Sequence, residues 1–294
     1  HDGLTVASFG GGDPKRSMAL RDAIATLFQS GSLNPTIAMV SAAQLTQPIG
    51  SVALVGGGPG ANDLITVRGL TLLKAADVVV TDRLGPTDLL DELPPTTLVI
   101  NVGKLPDHHP IPQDEINKIL VRHAKAGKRV VRLKGGDPYV LGRGGEELDF
   151  CVQNDVAVEV VPGISSALSV PALAGIPVTH RGVATGFTVL TGHEGIGDIG
   201  GGRDHTLVIL MGVSTLALSA SVLASGIRGA DCPVAIIQDG YGPDQKVVFG
   251  TLETIAAVAE AESVKSPAVI VVGDVVLRSH LAQSAFGVEI GLGK

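Results

Sequence analysis

The 294-residue sequence is 45% hydrophobic and carries 39 glycines, but it has only six phenylalanines, two tyrosines and no tryptophan. A formal charge of −7 without any Lys/Arg block excludes a broad nucleic-acid-binding face. No apolar run approaches the ~20 residues of a membrane span, and Cys151 and Cys232 stand far apart with no Cys-x-x-Cys partner. Reduced, buried thiols in a cytoplasmic protein are therefore expected.

Residues 1–47 read as one strand, "LTVASFG", a glycine turn and one amphipathic helix, too little to bury a core. They are expected to be the end of a domain whose beginning lies upstream. From Ser51 the pattern is regular. "VALVG" reads as a buried strand and "NDLITVRGLTLLKAA" as a helix capped by Asn62 or Asp63. "DVVVTD" is a strand, "TDLLDEL" a short helix and "TLVINVG" a third strand. "QDEINKILVRHAKAG" is an amphipathic helix with Ile116, Ile119, Leu120 and His123 on one side and Gly127 at its C-terminal cap. "KRVVRL" and "VAVEVVPG" flank the helix "GEELDFCVQN", and this alternation predicts a largely parallel sheet covered on both faces. "GISSALSVPALAGIPVTHRG" is a helix and a connecting loop, with a domain junction between Pro162 and Arg181. A second series follows: "GFTVLTG", "HTLVILMG", a helix from Ser214 to Ala224, "PVAIIQDG", "QKVVFG", a helix from Thr251, and "PAVIVVGDVV". "GHEGIGDIGGGRD" is expected to be a loop too polar to pack. No internal repeat of 20–50 residues is evident.

Two glycine sites carry the chemistry. "GGGPGA" (Gly56–Ala61) fits G-x-G-x-x-A after a strand, with Asp77 or Asp82 as a ribose-binding acid of a dinucleotide site. Pro59 argues against that reading, because its nitrogen has no hydrogen to offer a pyrophosphate. Gly135-Gly136-Asp137-Pro138 ends an apparent strand that carries Arg132 and Lys134. Two open loops at strand ends of one sheet suit a nucleoside-like ligand without phosphate contacts.

The segments "VALVGGGPGANDLITVRGLTLLKAADVVVTDRL", "INVGK", "QDEINKILVRHAKAGKRVVRLKGGDPYVLGRGGEEL", "VEVVPGISSALSVPALAGIPVTHR", "TGH", "TLVILMG" and "PAVIVVGDVV" occur in one order. In this order they resemble the uroporphyrinogen-III C-methyltransferases of the tetrapyrrole methylase family, over about residues 50–285. The resemblance implies an α/β fold of two domains, 50–163 and 164–285, with the active site in the cleft between them and a homodimer. It implies S-adenosylmethionine (SAM) as methyl donor, with S-adenosylhomocysteine released, and uroporphyrinogen III methylated twice, through precorrin-1 to precorrin-2, toward sirohaem or cobalamin. Carried over residue by residue, Pro59, Gly135, Gly136, Asp137, Val140, Ser165, Ser166, Met211 and Gly240 correspond to SAM contacts. Asp82 and Lys104 correspond to the proton acceptor and donor.

Cations in an acidic protein fit a substrate rich in carboxylates, which arginine can pair bidentately. Arg83, Arg132, Lys134, Arg143, His180 and Arg181 are the substrate-binding candidates, beside the loop histidines His108 and His109. "DHHP" lacks companions for a metal site, and the reaction needs no metal. Thr81, where the family more often has tyrosine, "RLGPTD" in place of Leu-Val-Ser, and Ser165 in place of threonine bear on fine substrate contacts. Residues 1–47 resemble the tail of the dehydrogenase/ferrochelatase module of bifunctional sirohaem synthases. Methylation without complete NAD-dependent oxidation or iron insertion is therefore expected. The rival readings are an enzyme of the same fold with another methyl acceptor and a binding module that holds SAM or NAD without turnover.

Overall fold

The computed structural model describes residues 47–82, 85–103, 111–193, 196 and 199–287, together with Met18, Asp22, Ala23 and Thr26. The chain forms two compact units, His1–Thr46 and Gln47–Lys294. In the first, the four described residues are helical and exposed. The strand and glycine turn expected before them lie outside the described residues.

The second unit holds two five-stranded sheets. In the first, β1 (Ser51–Gly56), β2 (Val78–Thr81), β3 (Leu98–Asn101), β4 (Arg129–Lys134) and β5 (Ala157–Val161) lie in the order β3-β2-β4-β1-β5. Every pairing is parallel. Short aliphatic runs suit strands buried on both faces, because successive side chains point to opposite sides. Val52 and Leu54 of β1 pack on α2 (Gln113–Lys125) and α3 (Gly144–Gln153) through Leu120, Ala124 and Cys151. Ala53 and Val55 pack on the opposite side with Leu72 and Leu73 of α1 (Val67–Ala75).

Helix α1 starts later than expected. Asn62–Leu64 form a separate 3₁₀ turn, Ile65 is extended, and the cap is Thr66, whose hydroxyl accepts from Gly69 N at 3.1 Å. "TDLLDEL" is likewise a 3₁₀ turn over Thr87–Leu90.

The second sheet, β6 (Gly186–Thr191), β7 (His205–Leu210), β8 (Pro233–Gln238), β9 (Lys246–Thr251) and β10 (Ala268–Val272), has the order β6-β7-β10-β8-β9. Only β6 and β7 pair in parallel. Helix α4 (Ser166–Leu173), which follows β5, packs on this sheet through Ala167 and Val170. Helices α5 (Leu216–Ser225) and α6 (Ile255–Ala261) cover its other face, and α7 (His280–Phe286) closes the α4 side. Both α5 and α6 begin later than their sequence suggests; Thr251 is the last residue of β9. The glycine-rich loop before β7 does pack. Ile196 is buried and Ile199 lies against the same core, so two isoleucines anchor an otherwise polar segment. Among the described residues no helix is long and apolar enough to cross a membrane.

Candidate active site

The strand order of the first sheet explains the site. Because β2, β4, β1 and β5 are neighbours, the loops leaving their carboxyl ends emerge side by side, where open α/β sheets bind ligands. Gly57 N donates to Lys134 O at 2.8 Å, and Gly58 and Gly136 exchange backbone hydrogen bonds at 3.2 and 2.6 Å. The two glycine loops are thus stitched into one surface. The loop after β5 completes it. A Cβ on Gly56 would sit 2.5 Å from Gly163 N, and one on Gly163 would overlap the Gly136 carbonyl, so this junction closes only with glycine on both sides. Asp137 braces it: Oδ2 accepts from Gly163 N at 3.0 Å and Oδ1 from Tyr139 N at 2.8 Å.

The junction leads directly to α4. Gly136, at φ +66, faces the backbone of Ser165 and Ser166 across ordinary van der Waals distance. The Ser165 hydroxyl caps α4 by accepting from Ala167 N at 3.3 Å. One turn along, Val170 packs so tightly on Gly240 that a Cβ there would come within 2.7 Å, and the Tyr241 hydroxyl donates to Ser169 O at 3.0 Å. Burial, with a smaller contribution from the Asp63 carboxylate, pushes that hydroxyl's pKa up.

Strands β7 and β8 both run antiparallel to β10, so Met211 and Gly240 leave the sheet at the same end. The structure therefore gathers Gly135, Gly136, Asp137, Ser165, Ser166 and Gly240 around the start of α4. Half-buried Pro59 and Val140 lie in the two glycine loops, and Met211 shares the sheet end of Gly240. Backbone strain concentrates here: Leu141 (φ 54), Arg143 (φ 59), Met211 (φ 55), Asp239 (φ 47) and Tyr241 (φ 69) are non-glycine residues in the left-handed region.

Asp82 directly follows β2, beside the Gly135 loop. Arg132 Nη2 donates to its Oδ2 at 3.1 Å. The expectation that Arg132 and Lys134 offer open cations to a substrate is corrected by their position. They continue the face of β4 that carries Val130, pointing toward α2 and α3, and are 3% and 4% exposed. Arg132 Nε, Lys134 Nζ and Gln113 Nε2 each meet Oε1 of fully buried Glu147 at 3.0 Å. Glu147 Oε2 has no hydrogen-bond partner among the described residues. Burial, with Arg132 next in size, lowers the Lys134 pKa against the pull of Glu147.

Sequence reasoning passed over Glu147. Its signal was available: it lies four residues before Cys151, on the helix face that turns inward. Asp77, the alternative ribose acid, is taken up by Arg129, which donates Nε and Nη2 to it at 3.1 and 3.0 Å. Exposed Arg143 pairs with Glu146, with Nη2–Oε2 at 2.7 Å. His180 Nδ1 lies 2.9 Å from Arg181 O in the turn before β6, and Arg181 is exposed. Arg83, Lys104, His108 and His109 lie outside the described residues.

The Tetrapyrrole (Corrin/Porphyrin) Methylases match residues 51–256. The chain belongs to the tetrapyrrole methylase family. A S-adenosyl-L-methionine-dependent uroporphyrinogen III methyltransferase of Methanosarcina barkeri is 48% identical over 249 residues, which span 82% of this chain and 98% of that protein. A siroheme synthase of Thiobacillus denitrificans is 47% identical; the match spans 79% of this chain but 50% of the longer enzyme. The uroporphyrin-III C-methyl transferase of Thermus thermophilus, solved in complex with S-adenyl homocysteine, matches with a TM-score of 0.65. It is 40% identical and covers 77% of this chain and 99% of its own. The two-sheet α/β architecture is that of the family.

The residues at the junction fit the methyl donor the family implies. The backbone at Gly60 is open, with nothing within 4 Å of where a Cβ would stand, and Gly136 has only the α4 backbone beyond 3.7 Å. Among the described residues, side chains leave the backbone at these two glycines free, as a ligand lying against it requires.

Proposed function

We infer that this chain is a SAM-dependent C-methyltransferase that converts uroporphyrinogen III to precorrin-2 by two successive methyl transfers, by way of precorrin-1. The single observation that carries the reading is the glycine junction of the β1, β4 and β5 loops, with Asp82 one strand away at the same sheet edge. The glycine loops, Pro59, Ser165, Ser166, Met211 and Gly240 hold the donor, which supplies an electrophilic methyl and leaves as S-adenosylhomocysteine.

The protein's own task is placement. Holding a pyrrole carbon in line with a methyl replaces a bimolecular encounter and accounts for much of a rate enhancement of this kind. As the new C–CH₃ bond forms, the pyrrole ring becomes electron-deficient and recovers by losing a proton. Asp82 accepts that proton, and Lys104 returns one or steadies a substrate carboxylate. Arg83, Arg143, His180 and Arg181 remain the proposed partners for substrate carboxylates. Arg132 and Lys134 do not, because Glu147 already occupies them.

We also propose a cytoplasmic homodimer, and read residues 1–47 as akin to the tail of a sirohaem-synthase dehydrogenase module. Light scattering on the purified chain checks the dimer.

The direct test incubates anaerobic uroporphyrinogen III with methyl-labelled SAM and weighs the product. Two methyl groups gained is the expected result. SAM binding without transfer redirects the reading to another methyl acceptor, and absence of SAM binding overturns it.

A further inference from the structure

We propose that Arg132 is a positioning residue for Asp82, and that Glu147 is the buried anchor that fixes Arg132 in that role. The inference rests on the reading of Asp82 as proton acceptor and adds the groups that hold it.

The guanidinium is engaged at all three nitrogens. Nε meets Glu147 Oε1 at 3.0 Å, Nη1 donates to Leu133 O at 2.9 Å, and Nη2 reaches Asp82 Oδ2 at 3.1 Å. A planar fork held at two corners presents its third in one direction only. Exposure rises along this line. The side chains of Glu147, Arg132 and Asp82 are 0%, 4% and 26% exposed, so the chain of charges starts in the core and opens only at Asp82.

Lys134 completes the set. It meets the same Glu147 oxygen at 3.0 Å, which gives two cations to two carboxylates around a buried centre. Among the described residues the charged groups gathered about Asp82 are Arg132 and Lys134 of β4 and Glu147 of α3. A charge buried this deeply is tolerated only when paired and hydrogen-bonded. Glu147 therefore secures Arg132, which in turn sets the direction in which the Asp82 carboxylate faces.

A double-mutant cycle tests this, with Arg132→Lys and Asp82→Asn made singly and together. Lysine keeps the charge but cannot grip Glu147 and Asp82 at once. In the otherwise native chain Arg132→Lys is expected to lower kcat roughly tenfold, with the KM for uroporphyrinogen III and the calorimetric Kd for SAM unchanged. In the Asp82→Asn background the same change should cost less than about twofold, because residues that act through one group are not additive.

Equal losses in both backgrounds overturn the proposal, as does a lowered kcat accompanied by a raised KM for uroporphyrinogen III or a weakened Kd for SAM. If Arg132→Lys gives no cooperative melt, Glu147→Gln takes its place, and Asp82→Asn is expected to mask it in the same way. A native chain that transfers no methyl overturns the proposed function, and this inference with it. A native chain that transfers while Asp82→Asn is fully active overturns the role of Asp82, and this inference with it, while the proposed function stands.

Discussion

At the scale of single residues, Asp137 and Asp77 show how differently two carboxylates in one sheet are used. Asp137 spends both oxygens on backbone N–H groups of two loops. In Asp137→Asn one of those amides faces an NH₂ instead of an acceptor, and losing such a part-buried hydrogen bond costs about 0.5–1.5 kcal/mol. We expect a lower melting temperature and a SAM Kd weaker by roughly tenfold in calorimetry. Asp77 serves the fold. The side-chain hydrogen bond from Arg129 is the main cause that holds its pKa down to about 2, helped by the backbone N–H of Arg129. The unfolded chain has about 3.9 there. A depressed carboxylate stabilises above its unfolded value, and that contribution fades as pH falls from about 4 to about 2. Asp77→Asn should therefore destabilise clearly at pH 7 and hardly at all at pH 2, which paired urea titrations at the two pH values will read. The placing of the glycine loops at strand ends was legible because glycine runs mark where those strands stop, whereas Asp82 was named through the family resemblance. The burial of Arg132 and Lys134 was not legible, since a cation at a strand end looks alike whether it meets substrate or a carboxylate contributed by a helix farther along the chain.

At the scale of elements, the junction of three loops is the point where the fold and the site are the same object. Gly163 lies close enough to Gly136 and Gly56 that a methyl group forces the β5 loop away. Overpacking of this kind costs about 1–3 kcal/mol. Gly163→Ala is expected to retain a cooperative melt at reduced temperature and to lose SAM binding, as calorimetry on the folded protein can establish. Retained affinity would show that the loop can move without harm. The strands were readable almost to their ends from aliphatic runs bounded by glycine. Helix starts were read less well. Thr66 caps α1 in place of Asn62 or Asp63 because a 3₁₀ turn and an extended Ile65 intervene, and no local preference foretells that break. The loop before β7 was misjudged from average polarity, when two isoleucines decided its packing.

At the scale of the whole molecule, each sheet has one cysteine in its core, Cys151 against the first and Cys232 against the second. Burial pushes both thiols up to about 11. The native protein should resist thiol reagents at pH 8, and each single-cysteine variant should react only as its own layer opens. Coincident labelling curves in urea would show that both layers unfold together; separate curves would show that they come apart first. The alternation of strands and helices made the parallel first sheet predictable. The mixed second sheet was not, because the antiparallel pairing of β10 with β7 and β8 depends on partners distant in the chain. The left-handed residues that flank the site have a consequence for anyone seeking a hardier protein. Replacing Met211, which is exposed, with glycine relieves an unfavourable backbone shape, so a screen for heat tolerance will tend to select that change. The same change removes a side chain proposed to meet the donor. On the role proposed for Met211, heat tolerance and grip on the donor are set against each other at this position, and variants chosen on melting temperature alone will drift toward well-folded proteins that methylate poorly.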